Sequence, residues 1–87
     1  MPETAPAPNM KSLVEEVAKL LVDEPAQVSV TPVEEEDGIV LELRVAPGDL
    51  GKIIGRQGRT ARSLRTIVNA ASLRGDEDYL LEIVEDD

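Results

Sequence analysis

With 87 residues and 41% hydrophobic content, the chain has material for one compact domain and none for a second core. It contains neither cysteine nor histidine, which excludes disulfides and thiolate metal sites and removes the commonest general base and metal ligand of neutral pH. A formal net charge of −9 speaks against a phosphate backbone as partner for as long as the charge is taken to be evenly spread.

The opening nine residues, Met1 to Asn9, hold three prolines and little to bury, so a disordered tail is expected there. Folding is expected from Met10. Leu13, Val17, Leu20 and Leu21 follow i, i+4, i+7, i+8, Val14 and Ala18 widen the stripe, and Glu15, Glu16 and Lys19 point away, the pattern of an amphipathic helix. It should stop at Asp23-Glu24-Pro25, because Pro25 disfavours helical geometry in the residue before it. Val28 to Thr31 alternates with period two, and Pro32 makes this an edge or irregular strand. Asp37-Gly38 marks a tight hairpin turn with positive φ at both central positions. Ile39 to Val45 is then a strand with Leu41, Leu43 and Val45 on one face.

After the turn Ala46-Pro47-Gly48, Asp49 is placed to cap a short helix from Leu50 to Ile54. Gly55-Arg56-Gln57-Gly58 interrupts it. A third helix follows with Ala61, Leu64, Ile67, Val68 and Ala71 as its apolar face and Arg59, Arg62, Arg65, Thr66 and Asn69 opposite; it should run to about Arg74 and end at Gly75. Tyr79 to Val84 reads as a strand with Tyr79, Leu81 and Ile83 on one side, and residues 85–87 form an acidic C-terminal tail. The expected domain therefore covers residues 10–84, in the order α-β-β-α-α-β.

Charge is segregated along this order. Between Leu50 and Gly75 lie Lys52, Arg56, Arg59, Arg62, Arg65 and Arg74 with no acidic residue, while the remainder carries three basic and 18 acidic residues. An anion-binding face on an otherwise repulsive body needs such a distribution. The acidic runs Glu34 to Asp37, Asp76 to Asp78 and Glu85 to Asp87 read as solvated turns and a charged tail, and no enzyme is expected. No apolar run approaches the roughly 20 residues that span a bilayer, nor does the start resemble a signal peptide, so a cytoplasmic protein is expected.

The Gly55-Arg56-Gln57-Gly58 loop is the feature that carries chemistry. Two helices joined through Gly-x-x-Gly present backbone amides where the second helix starts, and helix starts attract anions. A side chain at either glycine would hold a phosphate away from the backbone and bar some turn conformations. Arg56 and Gln57, at the tip, can meet phosphate oxygens. The nucleotide-binding patterns fail. A P-loop needs Gly-Lys-Ser/Thr, whereas Gly51-Lys52 is followed by Ile53, and Gly-x-Gly-x-x-Gly is absent.

The longer string from Gly48 to Thr60, GDLGKIIGRQGRT, follows a strand and sits between two helical patterns. It resembles the signature of KH domains, and Met10 to Val84 resembles the small bacterial KhpA-like family of stand-alone KH proteins. The resemblance implies an α+β type II KH fold with a three-stranded sheet backed by three helices, and a non-catalytic single-stranded RNA-binding protein, an RNA chaperone or post-transcriptional regulator, without cofactor or metal. It implies that Gly55, Arg56, Gln57 and Gly58 clamp the backbone of about four nucleotides. Ile53, Ile54 or both floor the groove or serve the core; Lys52, Arg59 and Arg62 extend a phosphate track or are solvated surface. The implied partners are single-stranded RNA and either a second copy or a larger cytoplasmic KH-containing protein linked to cell-envelope growth. With no Phe or Trp and a single Tyr, aromatic stacking platforms are missing and weak single-site binding is expected. A protein-interaction adaptor that has ceased to depend on RNA is the alternative.

Overall fold

The computed structural model describes residues 9–73 and 77–85. Helix α1 is Met10–Leu21, strands β1 (Ser29–Glu35) and β2 (Gly38–Arg44) form a hairpin, α2 is the short Leu50–Ile54, α3 is Arg59–Ser72, and β3 is Tyr79–Ile83. Single 3-10 turns at Pro25–Gln27, Pro47–Asp49 and Arg56–Gly58 join them. The order is the α-β-β-α-α-β expected. In the sheet β2 is central, antiparallel to β1 and parallel to β3 from Ile39↔Tyr79 to Leu43↔Ile83. Parallel neighbours require a crossover, and α2 and α3 supply it.

One face of the sheet is buried, which is why β2 alternates. Val30, Leu41, Leu43 and Leu81 meet Met10, Val14 and Ala18 of α1, Ile53 of α2, and Leu64 and Val68 of α3 in a single core. The other face carries Thr31, Glu42 and Glu82 side by side in register. No helix among the described residues is long and apolar enough to cross a membrane.

The apolar stripe of α1 is rotated from the one expected. Met10, Val14 and Ala18 are the buried positions, whereas Leu13 and Leu21 are exposed and Leu20 is 85% exposed. Two overlapping i, i+4, i+8 rows exist in this segment, and the one ending in the small Ala18, fully buried, allows the helix to approach the sheet closely. Asn9 starts the helix, its side-chain oxygen accepting from Ser12 N–H at 3.2 Å. The helix ends at Leu21, ahead of Asp23, because the amides of Asp23 and Glu24 are taken elsewhere: Asp49 Oδ1 and Oδ2 accept them at 3.1 and 3.0 Å. Asp49 therefore does not cap α2 with its side chain, as the sequence suggested. It is 3% exposed and pins the end of α1 to the start of α2.

The hairpin turn also shifts by one residue. Glu35 pairs with Gly38, so Glu36 and Asp37 are the central residues, and neither has positive φ. Gly38 instead has φ 149° and admits the chain before β3: a Cβ there would meet Asp78, whose carbonyl accepts from Ile39 N–H at 2.8 Å. Pro32 sits inside the seven-residue edge strand β1 without breaking the ladder, Thr31↔Glu42 and Val33↔Val40 flanking it, which requires its nitrogen to face away from β2.

On α3 the buried positions are Ala61, Leu64 and Val68, with Ala71 half-buried. Ile67, expected on this face, is 48% exposed, since a helix lying on a flat sheet buries a narrower strip than the expected apolar face. The expected C-terminal residues Arg74 and Gly75 lie outside the described residues.

Candidate nucleic-acid interface

The joint between α2 and α3 is built by three residues with positive φ: Gly55 at 77°, Gln57 at 57° and Gly58 at 74°. Gly55 N–H closes α2 onto Gly51 O at 2.8 Å, and Gly58 N–H returns to Gly55 O at 3.1 Å. With ψ 173°, Gly55 occupies a region essentially reserved for glycine, and a Cβ there would lie 2.7 Å from Thr60 Cβ and 2.9 Å from Thr60 N. Gly58 is in the left-handed region with open space around it. Gly55→Ala is expected to cost about 2–4 kcal/mol, strain plus collision, and Gly58→Ala about 1 kcal/mol of strain alone. Equilibrium denaturant unfolding of the two variants measures the gap.

α3 starts at this joint with no side-chain cap; Arg59 N–H is taken by Arg56 O, and the next amides of a helix start are the ones left for an anion or water. Beside it lies a groove of ≈ 340 Å³ lined by Ile54, Gly58, Ala61, Arg62, Arg65, Ile83 and Glu85. Ala61, Arg62 and Arg65 come from the first turns of α3, Ile54 from the end of α2, and Ile83 and Glu85 from the end of β3 and just past it. A second hollow of equal volume, lined by Gln27, Ser29, Arg44, Val45, Pro47, Leu50 and Val84, has a single cation, and Arg44 Nη1 is 3.5 Å from Glu42 Oε1. Of these two, the loop-side groove is the better suited to a polyanion.

β3 is the free edge on that side. In a parallel ladder alternate residues turn both backbone groups to the neighbour; Ile39 N–H to Asp78 O and Val84 N–H to Leu43 O fix the phase. Tyr79, Leu81 and Ile83 consequently turn theirs outward. Tyr79 is satisfied by α3: Ser72 Oγ accepts from Tyr79 N–H at 2.8 Å and lies 3.3 Å from Tyr79 O and 3.0 Å from Val68 O. Among the described residues the edge groups left without a partner are those of Leu81 and Ile83, nearer the groove. Tyr79 itself packs against the core.

The structure brings most of the expected site residues together. Gly55, Arg56, Gln57 and Gly58 form the loop; Ile54, Gly58 and Arg62 line the groove, while Ile53 is fully buried in the core. Arg59 Nη2 donates to Gln57 Oε1 at 3.1 Å, so these two side chains are tied together at the exposed tip. Lys52 lies apart from them: Nζ is 3.2 Å from Asp23 Oδ2 and 3.9 Å from Asp49 Oδ1, engaged at the α1 side of α2. Ala61, Arg65, Ile83 and Glu85 also line the groove, and the sequence alone did not single them out for it. Arg65 was legible as one helical turn beyond Arg62, whereas Ile83 and Glu85 arrive only through the parallel pairing of β3.

A βααβ unit with a Gly-x-x-Gly joint and parallel outer strands, preceded by one helix and one strand, defines a type II KH domain. The family model described as the KH domain of KhpA/KhpB matches residues 11–83, and the chain belongs to that family. It is similar to the RNA-binding protein KhpA of Clostridium perfringens, 49% identical over 75 residues, 86% of this chain and 100% of the relative. It is also similar to the RNA-binding protein KhpA of Aquifex aeolicus, 50% identical over 76 residues, 87% of this chain and 96% of the relative. No solved structure matches the chain.

Proposed function

We propose that the chain is a non-catalytic single-stranded RNA-binding protein, acting as an RNA chaperone or post-transcriptional regulator in the cytoplasm. The observation that carries this reading is the groove itself, with a glycine loop and uncapped helix start at its head, Arg62 and Arg65 on one wall and Ile54, Ala61 and Ile83 as its apolar surface. Phosphates bind at the loop amides and the arginines; unstacked bases lie over the apolar surface. The relatives' name supports the same reading. Without aromatic stacking, one groove holds RNA weakly, and pairing with a second copy or with a larger KH-containing protein raises avidity.

Because the groove accommodates few phosphates, binding should weaken only shallowly with salt. Each phosphate contributes a slope of about −0.7 in log K against log salt on single strands, so three or four contacts give about −2 to −3. Titrating labelled single-stranded RNA at several salt concentrations measures this. A slope steeper than about −4 would transfer the site to an extended surface. The adaptor reading rests on the exposed apolar side chains Leu20, Ile67 and Leu73, the last 89% exposed; crosslinking in cells that recovers protein partners and no RNA would put it ahead.

A further inference from the structure

The groove has one feature that phosphate binding does not use. Glu85, just past the end of β3, lines it together with Arg62 and Arg65. Among the described residues none of these three side chains forms an ion pair, so no salt bridge ties Glu85 to either arginine. A carboxylate there repels the phosphates of any strand that enters, and a groove built for the backbone alone would do better without it. Its position is the β3 wall. On the proposed binding mode the strand's backbone runs along the loop and α3, so what reaches Glu85 is a base edge.

Resting on the RNA-binding reading, we infer that Glu85 is a specificity-determining residue that selects guanine at one position of the bound strand. Donor count decides the base. An ionised carboxylate only accepts, through two oxygens side by side. Guanine is the base whose Watson–Crick edge offers two adjacent donors, N1–H and the N2 amine, which match those oxygens as a bidentate pair. Cytosine and adenine each offer one amine beside a bare ring nitrogen, whose lone pair opposes the second oxygen. Uracil offers one N–H between two carbonyls. The selection therefore runs guanine first and uracil last, with Arg62 and Arg65 holding the flanking phosphates.

The full chain is mixed with a pool of random single-stranded RNA octamers, and the bound fraction is sequenced. A matched pair of oligonucleotides, with guanine or inosine at the enriched position, is then titrated. Guanine should be preferred at one position by roughly tenfold, the discrimination usual for one bidentate base contact, and inosine, which lacks the N2 amine, should lose most of it. Glu85→Gln should still bind RNA with guanine and inosine equal. Binding with no guanine preference, a preference that survives Glu85→Gln, or a variant that gains equally on every sequence overturns the inference and leaves RNA binding standing. Absence of RNA binding by the parent chain overturns both.

Discussion

Changing Arg56 and Gln57 together to Asp should abolish RNA binding while the domain stays folded. Both side chains are exposed at the tip of the loop, and surface substitutions usually move stability by about 0.5 kcal/mol or less. Gln57 has φ 57°, a conformation that aspartate enters more readily than most residues, and the carboxylate introduced in place of the Gln57 amide can still accept from Arg59. At the groove the change removes one cation and adds two anions where a phosphate is to sit. At about 5 Å, with an effective dielectric between that of a protein surface and that of water, each opposes the phosphate by roughly 1–3 kcal/mol. Affinity should fall by at least about a hundredfold. Circular dichroism and thermal melting establish the fold, and a titration with pooled single-stranded RNA reads the binding. A folded variant that binds like its parent would remove the loop from the site and favour the adaptor.

The largest loss of stability from a single polar side chain should come from Asp49→Ala. The carboxylate is buried and accepts the amides of Asp23 and Glu24, with Lys52 Nζ 3.9 Å away. Hydrogen bonds to a charged group contribute about 1.5–3 kcal/mol each, and amides that lose their acceptor keep the cost of their desolvation. A loss of about 3–5 kcal/mol is expected, a large share of the roughly 5–15 kcal/mol that holds a small domain together. Melting should fall by more than about 10 °C. Asp49→Asn retains one acceptor oxygen and should lose about half as much. Lys52→Ala serves as the contrast: its ion pairs are on a half-exposed side chain, and such pairs contribute about 1 kcal/mol or less. If Asp49→Ala melts like Lys52→Ala, the carboxylate is not the pin between α1 and α2.

The order of elements, the short α2 and the glycine joint were all legible in the chain, because each is written locally. Leu41 and Leu43 alternate with polar neighbours, and Pro25 and Gly55 interrupt helices, whereas Asn9, taken with the tail, caps α1. What stayed hidden depends on where elements dock. Nothing local distinguishes the row Met10, Val14, Ala18 from the row through Leu13, Leu20 and Leu21; the sheet makes that choice. Asp49 stands where a helix cap stands, yet its carboxylate reaches partners 25 and 26 residues earlier in the chain. The loop half of the candidate site is contiguous in sequence and was found; Ile83 and Glu85 belong to the wall that a crossover brings back, and they were not.

The two margins of the sheet differ in a way that bears on assembly. A strand seeking to join at β1 meets Pro32, which has no N–H to offer, and the carboxylates of Glu34 and Glu35 near the hairpin end. Strand addition there is disfavoured on both hydrogen-bonding and charge grounds. At β3 the backbone of Leu81 and Ile83 remains available, but that margin opens into the groove, and Ser72 has already closed its far end. Runaway growth by edge-to-edge stacking needs two receptive margins per copy. Among the described residues this domain has at most one, so pairing through the sheet stops at two copies, and a nucleic-acid strand bound in the groove would compete with that pairing.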